Sequence, residues 1–154
     1  AWTSRLRSRV AAADLHHARA FPARRVQVDF EVRASERQVL LDVLEDVRRG
    51  LPRATRLSMT APASWCDTER WLDHAPVDEI VPMLFRMQEA GDALKNRLAA
   101  GGGFRKPRCR SAFAVWTDTP PGRAPRGRRV YLFNPGSWTE ADFRRMQAEV
   151  EGWR

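Results

Sequence analysis

Ile80-Val81-Pro82-Met83-Leu84-Phe85 is an apolar run without polar alternation. It lies in a strand read over 77–85, and such a run marks a strand buried on both faces, the situation of a parallel sheet covered by helices. Pro82 removes one ladder donor, so it should lie close to where pairing ends. Four further strand patterns stand in the chain, over about 26–31, 56–61, 109–116 and 129–133. Helical patterns separate most of them, near 1–20, 36–49 with the apolar stripe Val39, Leu40, Val43, Leu44 and Val47, 67–72 and 89–99. A last one, which Ser137 and Glu140 could cap, carries Phe143, Met146, Val150 and Trp153. Each connection is long enough for a crossover, so the reading is α/β with parallel βα units.

Val26-Gln27-Val28-Asp29-Phe30-Glu31 alternates apolar and polar residues. On a strand, Val26, Val28 and Phe30 face one way and Gln27, Asp29 and Glu31 the other. The two carboxylates would then lie about 6.5 Å apart along the strand and point the same way. Ser35 and Gln38 offer a capping box for the next helix. A strand, a short loop and a capped helix form a βα unit, and α/β folds build their sites at the strand exits of such units.

Polar and aromatic residues collect at the other exits as well: Ser64 and Trp65, Arg86, Trp116 and Asp118, and Asn134. No glycine-rich phosphate loop follows any strand, because Gly101-Gly102-Gly103 precedes one and reads instead as a helix stop. A site assembled from many exits suits a (βα)8 barrel better than a doubly wound dinucleotide fold. Read so, residues 1–154 form a single domain holding strands four to eight of a TIM-type barrel, a partial barrel whose first strands lie outside this sequence. Such a chain should pair with the missing barrel half or self-associate through open sheet edges.

With 154 residues, 43% of them hydrophobic, the chain can bury a core. Basic residues outnumber acidic ones 27 to 19, a net charge of +8. Arginine is scattered through every predicted element rather than gathered on one face, which argues against nucleic acid as a partner. No stretch approaches the roughly 20 apolar residues of a membrane span. The chain opens at Ala1-Trp2, so any export signal would lie upstream, and localisation stays open with export included. Cys66 should follow a strand end and Cys109 should open another strand, at opposite ends of a parallel sheet, so both are expected to be free thiols. No cofactor or metal-ligand pattern stands in the sequence, and His16-His17 suits a helix C-terminus.

Three stretches carry a resemblance: Val26 to Glu31, Leu57-Ser58-Met59-Thr60-Ala61-Pro62-Ala63-Ser64-Trp65-Cys66, and Val77-Asp78-Glu79-Ile80-Val81-Pro82-Met83-Leu84-Phe85-Arg86-Met87. Together they resemble an uncharacterised bacterial family known as domain of unknown function 3142, itself similar to TIM-barrel glycoside hydrolases. Thr119 stands where a further acidic residue would be expected after Asp118. The Asp-x-Glu strand also looks like that of chitinase-type barrels, whose last Glu is the acid. The resemblance implies an uncharacterised glycoside-hydrolase-like barrel that cleaves or remodels a polysaccharide.

On this reading Glu31 is the general acid or base and Asp29 orients it or tunes its proton affinity. Trp65 and Trp116 would stack on sugar rings, and Arg86, Asp118 and Asn134 would complete the substrate contacts. Plainer roles stand beside these. Asp29 and Glu31 could pair with arginines such as Arg33, the tryptophans could fill the core, and Asn134 before Pro135 could be a turn residue. The alternative function is a non-catalytic carbohydrate-binding or scaffold barrel.

Overall fold

A computed structural model describes residues 2–21, 23–30, 32–85, 91–118 and 127–153. Five helices and five strands stand among them. They are α1 Ser4–Ala20, β1 Arg25–Val28, α2 Arg37–Gly50, β2 Arg56–Pro62, α3 Trp65–Thr68, β3 Glu79–Met83, α4 Gly91–Ala99, β4 Ala112–Trp116, β5 Arg129–Phe133 and α5 Glu140–Gly152. The strands lie in one sheet in chain order. β1 with β2, β3 with β4 and β4 with β5 pair in parallel, so the α/β reading with a parallel sheet holds. The chain groups into two compact units, one of Ala1–Thr60 with Trp71–Glu79, the other of Ala61–Arg70 with Ile80–Arg154.

In the first unit α2 carries the stripe read from sequence, with Leu40, Val43, Leu44 and Val47 buried and Val39 half-buried. Helix α1 is held to it by Arg7, which reaches Asp42 at 3.0 Å and Asp46 at 3.1 Å. Gly50 ends α2 at a close approach, since a Cβ there would meet Leu15 Cδ1 at 2.4 Å. Ahead of α2, Glu36 rather than Gln38 closes the turn. Its carboxylate accepts from the Arg33 N–H at 3.0 Å and from Trp2 Nε1 at 3.1 Å, while Gln38 donates to Asp42. The expected capping pair is therefore replaced by a residue that serves two elements at once.

β1 is shorter than its alternation predicts. It registers Val26 with Leu57 and Val28 with Met59, then stops. Beyond it, Phe30 meets Trp2 edge-on at 5.3 Å between ring centroids. Further along this unit, Asp78 is woven into β2: its N–H donates to the Leu57 carbonyl and its Oδ2 accepts from the Leu57 N–H, both at 2.7 Å.

In the second unit Val81, Met83, Ala112 and Ala114 form an apolar cluster, with Phe85, Tyr131 and Phe133 packed against it. Pro82 sits one residue before the end of β3. Met83 registers with Ala114, and the Leu84 N–H donates to the Ala114 carbonyl at 2.9 Å. The missing proline donor thus falls beside the last paired residue, as the sequence reading required. Helix α4 ends in a Schellman closure: Gly102 N–H reaches the Arg97 carbonyl at 2.8 Å, Gly101 N–H reaches Leu98, and Gly101 has φ of 84°.

The cysteines correct the sequence reading. Cys66 and Cys109 form a disulfide with their Cα atoms 5.9 Å apart, so neither is a free thiol. Cys109 does not open a strand. It ends a short 3-10 turn, Pro107–Cys109, three residues ahead of β4. The segment leading into that turn is stitched to α3, because Lys106 N–H donates to the Cys66 carbonyl at 3.1 Å and Arg105 N–H to Asp67 at 3.0 Å. Arg97 pairs with the same Asp67.

The last helix is capped two residues later than predicted. Thr139 and Asp142, not Ser137 and Glu140, make the capping box: the Asp142 N–H donates to Thr139 Oγ1 at 3.1 Å, and that hydroxyl donates to Asp142 Oδ2 at 2.7 Å. Met146 and Trp153 are buried as expected, but Phe143 is exposed and meets the exposed Trp138 edge-on.

Candidate functional site at the strand exits

In the first unit the exit of β1 presents Asp29. It is the first residue past the strand, its side chain is exposed, and its Oδ1 accepts from Thr60 Oγ1 at 2.7 Å. The register explains the contact: Val28 faces Met59, so the next residues on β1 and β2 are Asp29 and Thr60. Thr60 is itself buried and holds its hydroxyl in place. Among the described residues Asp29 makes no ion pair, and Arg33 is not its partner. Glu31 lies outside the described residues.

In the second unit the exits of β4 and β5 carry a row of aromatic rings. Trp116 and Phe133 are the last residues of their strands and face each other in register. Phe85, two residues past β3, lies 5.0 Å from the Trp116 ring and 5.6 Å from that of Phe133. All three are half-buried: Phe85 packs on both of the other rings, and each keeps part of its surface open to solvent. Asp118 is exposed just beyond Trp116.

Asn134 is used differently. Its Oδ1 accepts from Thr117 Oγ1, and its Nδ2 donates to the carbonyls of Gly136 at 3.1 Å and Ser137 at 3.2 Å. Arg145 Nη1 then holds the Thr117 carbonyl at 3.0 Å, and Thr117 N–H donates to the Phe133 carbonyl. The asparagine amide is thus occupied in shaping the turn after β5. Trp65 is 8% exposed, and opens α3 with its ring buried rather than presented to solvent. Arg86 lies outside the described residues.

Within the second unit the structure thus groups Trp116 with Phe85 and Phe133, which sequence reasoning passed over, and leaves Asp118 exposed two residues further on. Their signal was available, since Phe133 ends a five-residue strand as Trp116 does. Thr60 was missed as well, because nothing in a lone buried threonine announces a carboxylate partner. Among the described residues no cluster of His, Cys, Asp and Glu could hold a metal ion, and no helix is long and apolar enough to cross a membrane.

These features define an α/β protein with a parallel sheet whose strand exits carry one exposed carboxylate in one unit and an aromatic row in the other. Comparison with protein-family models, curated proteins and solved structures finds no match.

Proposed function

We propose that this chain supplies the strand-exit residues of a glycoside-hydrolase-like site acting on a polysaccharide, on a TIM-type barrel of which it forms strands four to eight. The carrying observation is Asp29: an exposed carboxylate at a strand exit, hydrogen-bonded by Thr60 and not neutralised by an arginine among the described residues. In the proposed reaction Glu31 protonates the glycosidic oxygen as that bond breaks, and water adds to the anomeric carbon while its released proton restores the Glu31 carboxyl. Asp29, two residues away, orients Glu31. Resemblance to the domain of unknown function 3142 family supports the same assignment from sequence alone.

The test is turnover of a polysaccharide panel by the intact protein and by Glu31→Gln and Asp29→Asn. The reading expects Glu31→Gln to abolish reducing-end release and Asp29→Asn to lower it; full activity in Glu31→Gln would remove it. A second reading, carbohydrate binding without cleavage, is favoured by the aromatic row of Phe85, Trp116 and Phe133. It expects glycan binding that is unchanged by Glu31→Gln and lost in Trp116→Ala.

A further inference from the structure

The entry ends of β4 and β5, within the second unit, carry an arrangement that the proposed glycan site does not use. Arg110 stands two residues before β4 and Arg128 one residue before β5. The parallel ladder brings them together: Ala112 registers with Arg129, and the Arg129 N–H donates to the Ser111 carbonyl at 3.1 Å, each of these the residue that follows one of the two arginines. Both guanidinium groups crowd the place where a side chain on Gly103 would project. An ideal Cβ there lies 3.2 Å from Arg128 Nη2 and 4.0 Å from Arg110 Nε. The two guanidinium groups are therefore no more than about 7 Å apart, and because the Arg110 Nε hydrogen goes to the Phe104 carbonyl, an anion between them would take the Arg110 Nη1 hydrogens together with those of Arg128 Nη2.

Neither arginine has a carboxylate partner among the described residues. Arg110 is fixed through backbone carbonyls alone, donating Nε to Phe104 at 2.8 Å and Nη2 to Arg105 at 3.0 Å. Arg128 lies half-buried with its Cζ 5.9 Å from the centre of the Phe104 ring, and its Nη1 is shut off from solvent with no hydrogen-bond partner. Two like charges held together and a buried donor left unmet are both unfavourable in the empty protein. A negative group beside Arg128 Nη2 would offset the repulsion between the two charges.

We propose that Arg110 and Arg128, with Gly103 leaving the space between them, form a binding site for a tetrahedral oxyanion, a phosphate or sulfate group. Burial and the neighbouring Arg110 charge both push the Arg128 guanidinium below its ordinary proton affinity, the direction that a bound anion reverses. The Arg105-Lys106-Pro107-Arg108 run beside the site adds to the positive field that draws an anion in. The group could arrive as a free ion or as an ester on a larger molecule, and the chemistry of capture is the same.

The experiment titrates the chain with inorganic phosphate against sodium chloride of equal ionic strength, reading heat by calorimetry and the thermal midpoint. A saturable heat and a saturable rise in the midpoint are expected in the wild type. Arg128→Gln and Arg110→Gln should each weaken binding about tenfold to a hundredfold, the effect of one lost charge-assisted contact. Arg110 is exposed, so its variant reports on the site even where Arg128→Gln fails to fold. Gly103→Ala should weaken binding by filling the cradle. Phenyl phosphate separates the sources: binding tighter than inorganic phosphate marks an ester ligand, and equal or weaker binding marks the free ion. A linear, unsaturating response that is the same in wild type and Arg110→Gln would overturn the proposal.

Discussion

Thr60 Oγ1 donates to Asp29 Oδ1 across the exits of β1 and β2, from a buried threonine to an exposed carboxylate. The bond orients the carboxylate without neutralising it. Burial of the donor also means that the acceptor cannot swing freely, because the hydroxyl holds one of its two oxygens.

Thr60→Val keeps the shape of the buried side chain and removes the donor. Asp29 is exposed, so water replaces the lost contact and the stability cost should be about 1 kcal/mol, measured by urea denaturation. If the proposed site operates, polysaccharide turnover should fall further in Thr60→Val than this small cost would explain. A stability loss above about 3 kcal/mol would instead make Thr60 a structural residue whose tie to Asp29 is incidental.

The disulfide joins residues 43 apart in sequence. Constraining the unfolded chain over a loop of that length corresponds to about 4 kcal/mol in the chain-entropy model. Cys66→Ser with Cys109→Ser, or the wild type under reductant, should unfold at lower urea concentration by a matching free energy. Cys66 and Cys109 are each fully buried, so reduction of the native protein should be slow until it opens.

What the sequence disclosed and what it hid divide along physical lines. The α2 stripe, the β5 bounds and the glycine stop after α4 follow from periodicity and backbone freedom, which act locally. The disulfide was hidden because Cys109 was read into a strand, whereas contacts distant in sequence, Lys106 to Cys66 and Arg105 to Asp67, turn it back toward α3. Capping was displaced twice for a related reason: several residues at each helix start could cap, and tertiary partners such as Trp2 on Glu36 decide which one does. At the site, the exposed Asp29 was legible from strand alternation, but the shortened β1 was not, since nothing local forbids pairing through Phe30. Asn134 was legible as a turn residue from the proline that follows it, and its amide does serve the turn.

Glu79 is 5% exposed and pairs with Arg25 Nη1 at 2.9 Å. Arg25 is only partly buried, so losing its contact in Arg25→Met should cost about 2 kcal/mol. In the double variant Arg25→Met, Glu79→Leu the carboxylate is removed with its partner, so the coupling between the two positions is read directly. A double-mutant cycle in urea measures both. Equal instability of the single and double variants would show that the pair matters for shape rather than charge.

The exposed side of the aromatic row invites a test independent of turnover. Trp116 packs on Phe85 and registers with Phe133 but remains half-buried, so Trp116→Phe should keep the contact and most of the stability. Trp116→Ala should cost about 2 kcal/mol, below the usual penalty for a fully buried tryptophan. If glycans stack there, polysaccharide retention in affinity electrophoresis should survive in Trp116→Phe and vanish in Trp116→Ala. Retention in both would place the glycan elsewhere.

Two aspartates should respond to acid with opposite signs. The Thr139 hydroxyl, chief among several groups, holds Asp142 below the ordinary carboxylate value of 3.8, with its backbone N–H and Arg145 helping. A lowered folded-state value means that the stabilisation is present above pH 3.8 and is lost as pH falls through the folded value. Asp142→Asn should therefore be less stable than wild type at neutral pH, and the two should converge in strong acid. Asp14 is the reverse case: burial raises it above 3.8 and the His17 charge only partly opposes that. Its folded form binds a proton more readily than its unfolded form, so its ionisation costs stability as pH rises above 3.8. Asp14→Asn should be more stable than wild type at neutral pH, with the advantage shrinking on acidification. Denaturation curves at several pH values for both variants decide the matter. An Asp14→Asn protein less stable than wild type at neutral pH would mean that the Asp14 carboxylate is held by its neighbours rather than penalised by burial.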